Sequence, residues 1–359
     1  VSTTVNTKIC AKVNRVKQLE VEMSSIPLTV SDVAKEAGVS RATVSYVLND
    51  RRDVRVSEST RQRVMDTARR LGYVGSPAAR ALRSGRGDVV LLLVPDWEIS
   101  GQLELLLEEI GRLVAEYGLV CIRYEGEHWQ GSLHKLLSRI SCACVVTFDP
   151  LTTDDAQALE SGGVPEVAAR LLDHPGLPHN TAIGQDTIVA AQVDHLLGQG
   201  YTRVAYLATE EPRGRAFTTA RVAAFHDICS IRGVAGAMSA TVPQDLESIS
   251  ETLQAWISTS TEPLGIAAWN DLTALGIISA AASRQIQVPH RLGVVGGDNS
   301  PVAALARPTI SSVKFNLPSE ANQIAARIAD VLGHAKNDVS EGPAVVEVFT
   351  RLSTAGPSQ

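Results

Sequence analysis

Aromatic side chains are scarce, 4% of 359 residues, and no apolar run approaches the roughly eighteen residues that a bilayer-crossing helix needs. The 44% hydrophobic share is rich in Ala, Val and Leu instead, which reads as a soluble protein of two or three domains, each large enough to bury a core. Cysteine is sparse too. Cys10, Cys121, Cys142, Cys144 and Cys229 form an odd, scattered set, which argues against a disulfide framework and for a reducing compartment. The pair in "SCACVV" sits in a strand-like apolar run with no second Cys/His pair nearby, so packing explains it better than metal. There is no Gly-rich phosphate loop, no nucleophile elbow and no histidine pair at metal spacing; neither catalysis nor a cofactor is expected. The cations Lys8, Lys12, Arg15 and Lys17 are followed by no apolar segment of a secretory signal, which points to the cytoplasm. The first fold-like pattern begins at Pro27, and "MSSIPLTV" makes Met23 a natural beginning. Residues 1–26 are therefore expected to be a disordered tail or a start assigned too far upstream.

The net charge of -6 hides an asymmetry. Between Pro27 and Gly87 twelve Lys and Arg face six Asp and Glu, a local surplus of +6 that leaves the remainder at -12. A small basic module is joined to a large acidic body. The first suits a phosphate backbone and the second does not.

Within the basic module, "LTVSDVAKEAGVSRATVSYVLND" reads as two short amphipathic helices around a turn. Thr29 and Asp32 have capping-box spacing, Val30, Val33, Ala34 and Ala37 share a face, and Gly38 supplies the left-handed turn. Val39 fills the corner, Ser40 caps the second helix, and Val44, Val47 and Leu48 face inward. Ser57 caps a third helix reaching about Leu71, with Val64, Ala68 and Leu71 on its inner face. An amphipathic hairpin of no special purpose would show part of this pattern. Helices this short are marginal alone, so something beyond them must justify them. "YVGSPAARALRSGRGD" then reads as a linker with a short Ala/Arg/Leu segment.

Together with "VSESTRQRVMDTARRLGYVGSPAARAL", this stretch closely resembles the headpiece of the LacI/GalR family of bacterial transcription regulators, and the likeness extends to the closing "RLSTAGP", which resembles the family's last strand. The resemblance implies a headpiece at 27–73, a hinge at 74–87, an effector-binding and dimerisation domain at 88–352 and a tail at 353–359. The domain's lobes would be about 88–185 with 312–340, and 186–311 with 341–352. It also implies that the second helix enters the major groove, with Arg41, Ala42 and Tyr46 as base readers. Arg41 suits a bidentate contact to guanine or a plain phosphate contact, Ala42 a thymine methyl, and Tyr46 a base or sugar. Tyr46 departs from the arginine or histidine common at its position. Thr29, Ser31, Ser40, Thr43, Ser45 and Asn49 suit backbone positioning or capping. In the hinge, Leu82 matches a minor-groove wedge, Ala79 the close approach of paired hinges, and Arg80 and Arg83 the flanking cations.

From Asp88 the pattern alternates strand and helix through "DVVLLLVPD", "LVCIRYE", "CACVVTF", "RVAYLA", "LGIAAW" and "RLGVVGGD". Continuous apolar runs between helices indicate buried parallel strands, and the pattern restarts near residue 186. The expected fold is α/β: the three-helix headpiece plus a two-lobed, doubly wound body like a periplasmic binding protein. Ligands of such sheets bind beyond the carboxyl ends of strands, which selects Asp96, Trp97, Asn270, Asp271 and Asp298. Asp271 also suits the amino cap of the next helix, and Trp97 a contact between lobes. The family resemblance implies effector contacts from Arg221, Asn270 and Asp298, and Arg213 with Arg215 leaves room for an anionic effector.

These readings converge on a dimeric repressor of near-palindromic operators, controlled by a small sugar-like or nucleoside-like effector. No heptad run follows "RLSTAGP", so a dimer is expected and not a coiled-coil tetramer. A transport-type solute-binding protein would share the body but have no use for the basic module. A sugar-modifying enzyme would need catalytic pairs that are not evident.

Overall fold

The computed structural model describes residues 28–49, 51, 54–73, 75, 86–97, 101–126, 133–174, 176–177, 180–181, 184–334 and 346–356. The chain divides into two compact units, Val1–Gly87 and Asp88–Gln359. The expected hinge residues Ala79, Arg80, Leu82 and Arg83 lie outside the described residues, as do 1–26.

The first unit contains α1 (Val30–Ala37), α2 (Arg41–Leu48) and α3 (Glu58–Leu71). Each start is fixed by a side chain. The Thr29 N–H and hydroxyl donate to Asp32 Oδ2 at 2.8 and 2.7 Å, and these bonds hold the Asp32 carboxyl below its usual range. Ser40 Oγ accepts from the Thr43 N–H at 3.0 Å, and Ser57 Oγ from that of Thr60 at 3.3 Å. Gly38, at φ 65°, ends α1 in the left-handed conformation, letting the Val39 N–H reach back to the Ala34 carbonyl at 3.1 Å. The helices close on Val33, Ala34, Ala37, Val44, Val47, Val64 and Ala68, with Val39 and Leu48 at the edge. Each fully buried valine contributes about 1.5–3 kcal/mol, so packing holds helices too short to persist alone.

The second unit has two lobes. The first contains β1 (Val89–Val94), α4 (Gly101–Ala115), β2 (Val120–Glu125), α5 (Leu133–Leu137), β3 (Cys142–Thr147), α6 (Thr153–Gly162) and β4 (Glu166–Ala168), in a parallel sheet of order β2-β1-β3-β4. The second contains α7 (Gln185–Gly198), β5 (Arg203–Thr209), α8 (Arg215–Ile231), β6 (Met238–Val242), α9 (Leu246–Ser258), β7 (Leu264–Ala268), α10 (Asp271–Ser283), β8 (Leu292–Gly296), α11 (Pro301–Leu305) and β9 (Ser311–Phe315). The chain then supplies α12 (Leu317–Val331) to the first lobe and β10 (Val346–Phe349) to the second. The larger sheet runs β10-β9-β8-β7-β5-β6, parallel except where β10 meets β9.

Both faces of each sheet are covered, which explains the continuous apolar runs. In β1, Val90, Leu92 and Val94 pack with α4 and α12, while Leu91 and Leu93 pack with Leu133 and Leu159 on the opposite face. Cys142 and Cys144 are buried in β3 as part of these cores. In β5, Leu207 faces α9 and α10, and Val204, Tyr206 and Ala208 face α7 and α8.

Three details differ from the sequence reading. "LVCIRYE" looked like a buried run, but β2 is an edge strand with Val120 half exposed. The return to the first lobe falls after Phe315, not at 312, because Ser311 to Phe315 pair with β8 and β10 in the larger sheet. "RLSTAGP" is not the last strand: Leu352–Thr354 forms a 3-10 turn. Its Ser353 and Thr354 are buried; Ser353 Oγ accepts from the Ser311 N–H at 2.8 Å, and Thr354 Oγ1 bonds His195 Nε2 at 2.7 Å. Those side-chain bonds hold the segment where strand pairing does not.

Candidate functional site

In the first unit, α2 presents a polar face. Val44 and Val47 are buried, so helical spacing leaves Arg41, Ala42, Ser45 and Tyr46 on the outer side. Arg41 and Ala42 are exposed at its amino end, whereas Tyr46 is half-buried. Several of the expected backbone-positioning residues already serve the headpiece. Thr29 and Ser40 cap helices, Thr43 Oγ1 lies 2.9 Å from Ser40 Oγ, and Asn49 Nδ2 donates to the Ser45 carbonyl and, at 3.2 Å, to Ser45 Oγ. Ser31 is half-buried in α1.

In the second unit a cavity of about 170 Å³ lies between the lobes, beyond the carboxyl ends of β7 and β8. Its apolar wall includes Leu103 and Leu106 from α4, Ile188 from α7, Phe217 from α8, and Phe315 with Leu317. Its polar wall comprises Gln102, Gln185, Arg221, Asn270, Asp298 and Glu320. Three of the sequence candidates, Arg221, Asn270 and Asp298, thus come together.

Their geometry is set by neighbours. Arg221 donates through Nε to Gln185 Oε1 and through Nη1 to the Trp269 carbonyl, both at 2.8 Å, and stacks 4.1 Å from the Trp269 ring centroid. Burial pushes its pKa down, opposed by the Tyr206 hydroxyl and Asp298. Asn270, not Asp271, caps α10: Asn270 Oδ1 accepts from the Thr273 N–H at 2.8 Å. Asp271 is fully buried as the first helical residue. Its Oδ2 accepts from the Ser300 N–H at 2.6 Å and from the Ser300 hydroxyl at 3.1 Å, and its Oδ1 accepts from the Ser312 hydroxyl. A Cβ at Gly296 would strike that carboxylate, so the site requires glycine there. Asp298 Oδ1 accepts from the Asp271 N–H at 3.0 Å. Burial, then repulsion from Asp271, pushes the Asp298 carboxyl up to about 7, with the Arg221 charge opposing. Gln102 of the first lobe donates to the Asp298 carbonyl and ties the lobes across the cavity.

Two expected contacts are not on the cavity wall. Trp97 is 4% exposed and packs edge-on against Phe217, centroids 4.7 Å apart, so it supports a lining residue from behind. Asp96 pairs at 2.9 Å with Arg213, both side chains 47% exposed, and neither lines the cavity. Arg215 is exposed and does not line it either. The loop cations that left room for an anionic effector therefore lie off the cavity wall. Sequence reasoning missed Gln102, Gln185, Phe217, Trp269 and Glu320. Trp269 alone carried a signal, adjoining Asn270 at a strand end.

A helix-turn-helix unit and a two-lobed body with an inter-lobe cavity, in one chain, define the class of ligand-controlled DNA-binding proteins. Residues 29–76 match the family described as bacterial regulatory proteins, lacI family, and residues 193–354 match a periplasmic binding protein-like domain. The chain is 28% identical over 295 residues to catabolite control protein A of Priestia megaterium, across 80% of this chain and 87% of that protein. It is 28% identical over 347 residues to the HTH-type transcriptional regulator GalR of Escherichia coli strain K12, across 92% and 96%. Its fold resembles the lac repressor dimer bound to operator and the anti-inducer ONPF, with a TM-score of 0.70 and 20% identity, covering 92% of this chain and 99% of that one. The chain belongs to the LacI/GalR family and is a DNA-binding transcriptional regulator with an effector domain. Among the described residues no helix is long and apolar enough to cross a membrane.

Proposed function

We propose that the protein is a dimeric, cytoplasmic repressor that binds near-palindromic operators and changes operator affinity when a small effector occupies the inter-lobe cavity. One observation carries this reading: a headpiece with an exposed recognition face shares a chain with a cavity where Arg221, Asn270 and Asp298 converge. In this reading Arg41, Ala42 and Tyr46 read bases. Thr29, Ser31, Ser40, Thr43, Ser45 and Asn49 align the headpiece on phosphates. Ala79, Arg80, Leu82 and Arg83 form a hinge in the minor groove. A single headpiece makes too few contacts for useful specificity, which is the reason for a dimer. Regulation needs no catalysis.

Selecting duplexes from a random-sequence pool tests the reading. Enrichment of inverted repeats, bound by a dimer with an affinity that falls steeply with salt, is the expected result. Enrichment of no sequence, or binding by a monomer to single half-sites only, would refute it.

A further inference from the structure

The cavity's charge narrows what can enter it. Of the residues that line it, Asp298 and Glu320 carry carboxyl groups and Arg221 alone carries a cation. Arg221 directs Nε at Gln185 and Nη1 at the Trp269 carbonyl and lies against the Trp269 ring, so part of its donor set is already turned into the wall. Glu320 is 1% exposed in the first turn of α12, and Asp271 adds a further buried carboxylate behind Asp298. Arg327 faces Glu320 electrostatically from two turns along α12, with Arg170 beyond it, but it donates to the Ala168 carbonyl at 2.7 Å and does not line the cavity. An anion entering here would lose its water and meet the like charge of the carboxylates, with the remaining donors of Arg221 as its one cationic partner on the wall, whereas a cationic nitrogen gains charge-assisted hydrogen bonds. The rest of the wall is mostly apolar, and about 170 Å³ is the scale of a cavity that accepts one six-membered ring.

We propose that the molecule held between the lobes is a small organic cation: a ring-sized body bearing a protonated amine that Asp298 and Glu320 share. This rests on the reading of the cavity as the effector site. Glu320 is the residue that sets the preference, since Asn270, Gln102 and Gln185 serve neutral hydroxyls equally well. The position of Asp298 supports the idea from another side. Burial and the neighbouring Asp271 push its carboxyl up to about 7, a cost that a bound ammonium would relieve.

The test uses the full-length protein and two isosteric series at pH 8: cyclohexylamine, cyclohexanol and cyclohexanecarboxylate, then benzylamine, benzyl alcohol and benzoate. Affinity is read by calorimetry and by thermal stabilisation. In at least one series the amine should bind about tenfold tighter than the alcohol, roughly 1.4 kcal/mol, with the carboxylate weakest. Glu320→Gln and Asp298→Asn, both nearly isosteric, should each bring amine and alcohol within about threefold of one another. An alcohol or carboxylate that binds wild type as tightly as its amine overturns the proposal and leaves the effector reading standing. An amine preference that survives both substitutions overturns it too, because the amine would then sit elsewhere on the acidic body. Silence from all six probes overturns the proposal as well, and leaves the effector reading to stand or fall on its own test.

Discussion

Replacing Arg41 by Ala separates reading from folding, because the two effects have opposite signs. Arg41 is the first residue of α2, where the helix dipole is positive, and no acidic residue in that turn compensates it. Its side chain is exposed and makes no hydrogen bond or ion pair with any described residue. Removing the charge should therefore raise headpiece stability slightly, by about 0.3–1 kcal/mol. On DNA the loss is larger. A bidentate contact to guanine is worth about 1–3 kcal/mol, so two half-sites lose about 2–6 kcal/mol, roughly thirtyfold in affinity or more. The assay is fluorescence anisotropy on a selected operator and on a scrambled duplex, each at several salt concentrations, beside urea unfolding of both proteins. Base reading requires that affinity for the operator fall, that binding to the scrambled duplex hold nearly constant, and that unfolding shift slightly upward. Equal losses on both duplexes, with the salt slope shallower by about two, would show that Arg41 only neutralises phosphate.

Other perturbations probe the body and the hinge. Trp97→Ala should cost about 3–5 kcal/mol in urea unfolding and weaken ligand binding by loosening Phe217, whereas Asp96→Ala, which breaks a half-exposed ion pair, should cost under about 1 kcal/mol and leave ligand affinity unchanged. Asp298→Asn addresses pH. A carboxyl raised in the folded state holds a proton that the unfolded chain has released, so this group lowers stability as pH rises from about 4 to about 7 and adds no further change above. Asp271, Arg221 and Glu320 are the charged groups that share its surroundings. Without ligand, the variant should lose less stability between pH 5 and pH 8 than wild type; equal losses would mean Asp298 is ionised throughout. Leu82→Ala should reduce operator affinity and DNA bending, most strongly where a CG step lies at the centre, while binding to random DNA holds; wild-type bending would reduce the hinge to a tether.

Much was legible along the chain because the determining interactions are local. The capping residues Thr29, Ser40 and Ser57 and the turn at Gly38 each act within a few residues, so the helices of the first unit begin and end where the sequence places them. Strands buried on both faces announce themselves as unbroken apolar runs, which made β1, β3, β5, β7 and β8 readable. The rule that ligands sit beyond strand ends then led to Asn270 and Asp298.

Tertiary structure alone decided the rest, since it depends on which distant segments meet. "LVCIRYE" has the composition of a core strand and becomes an edge because no strand pairs beyond it among the described residues. Asp96 and Trp97 occupy a strand end as Asn270 does, yet the approach of Arg213 and Phe217 turns one into an ion pair and the other into a support. Asn270 and Asp271 are adjacent, and only the arrival of Ser300 and Ser312 assigns the cap to the first and the buried carboxylate to the second. Glu320 looks like an ordinary acid in the first turn of a helix. The return of α12 to the first lobe buries it on the wall of the cavity that Asp298 also lines, and no local pattern encodes the meeting of two residues so far apart in sequence.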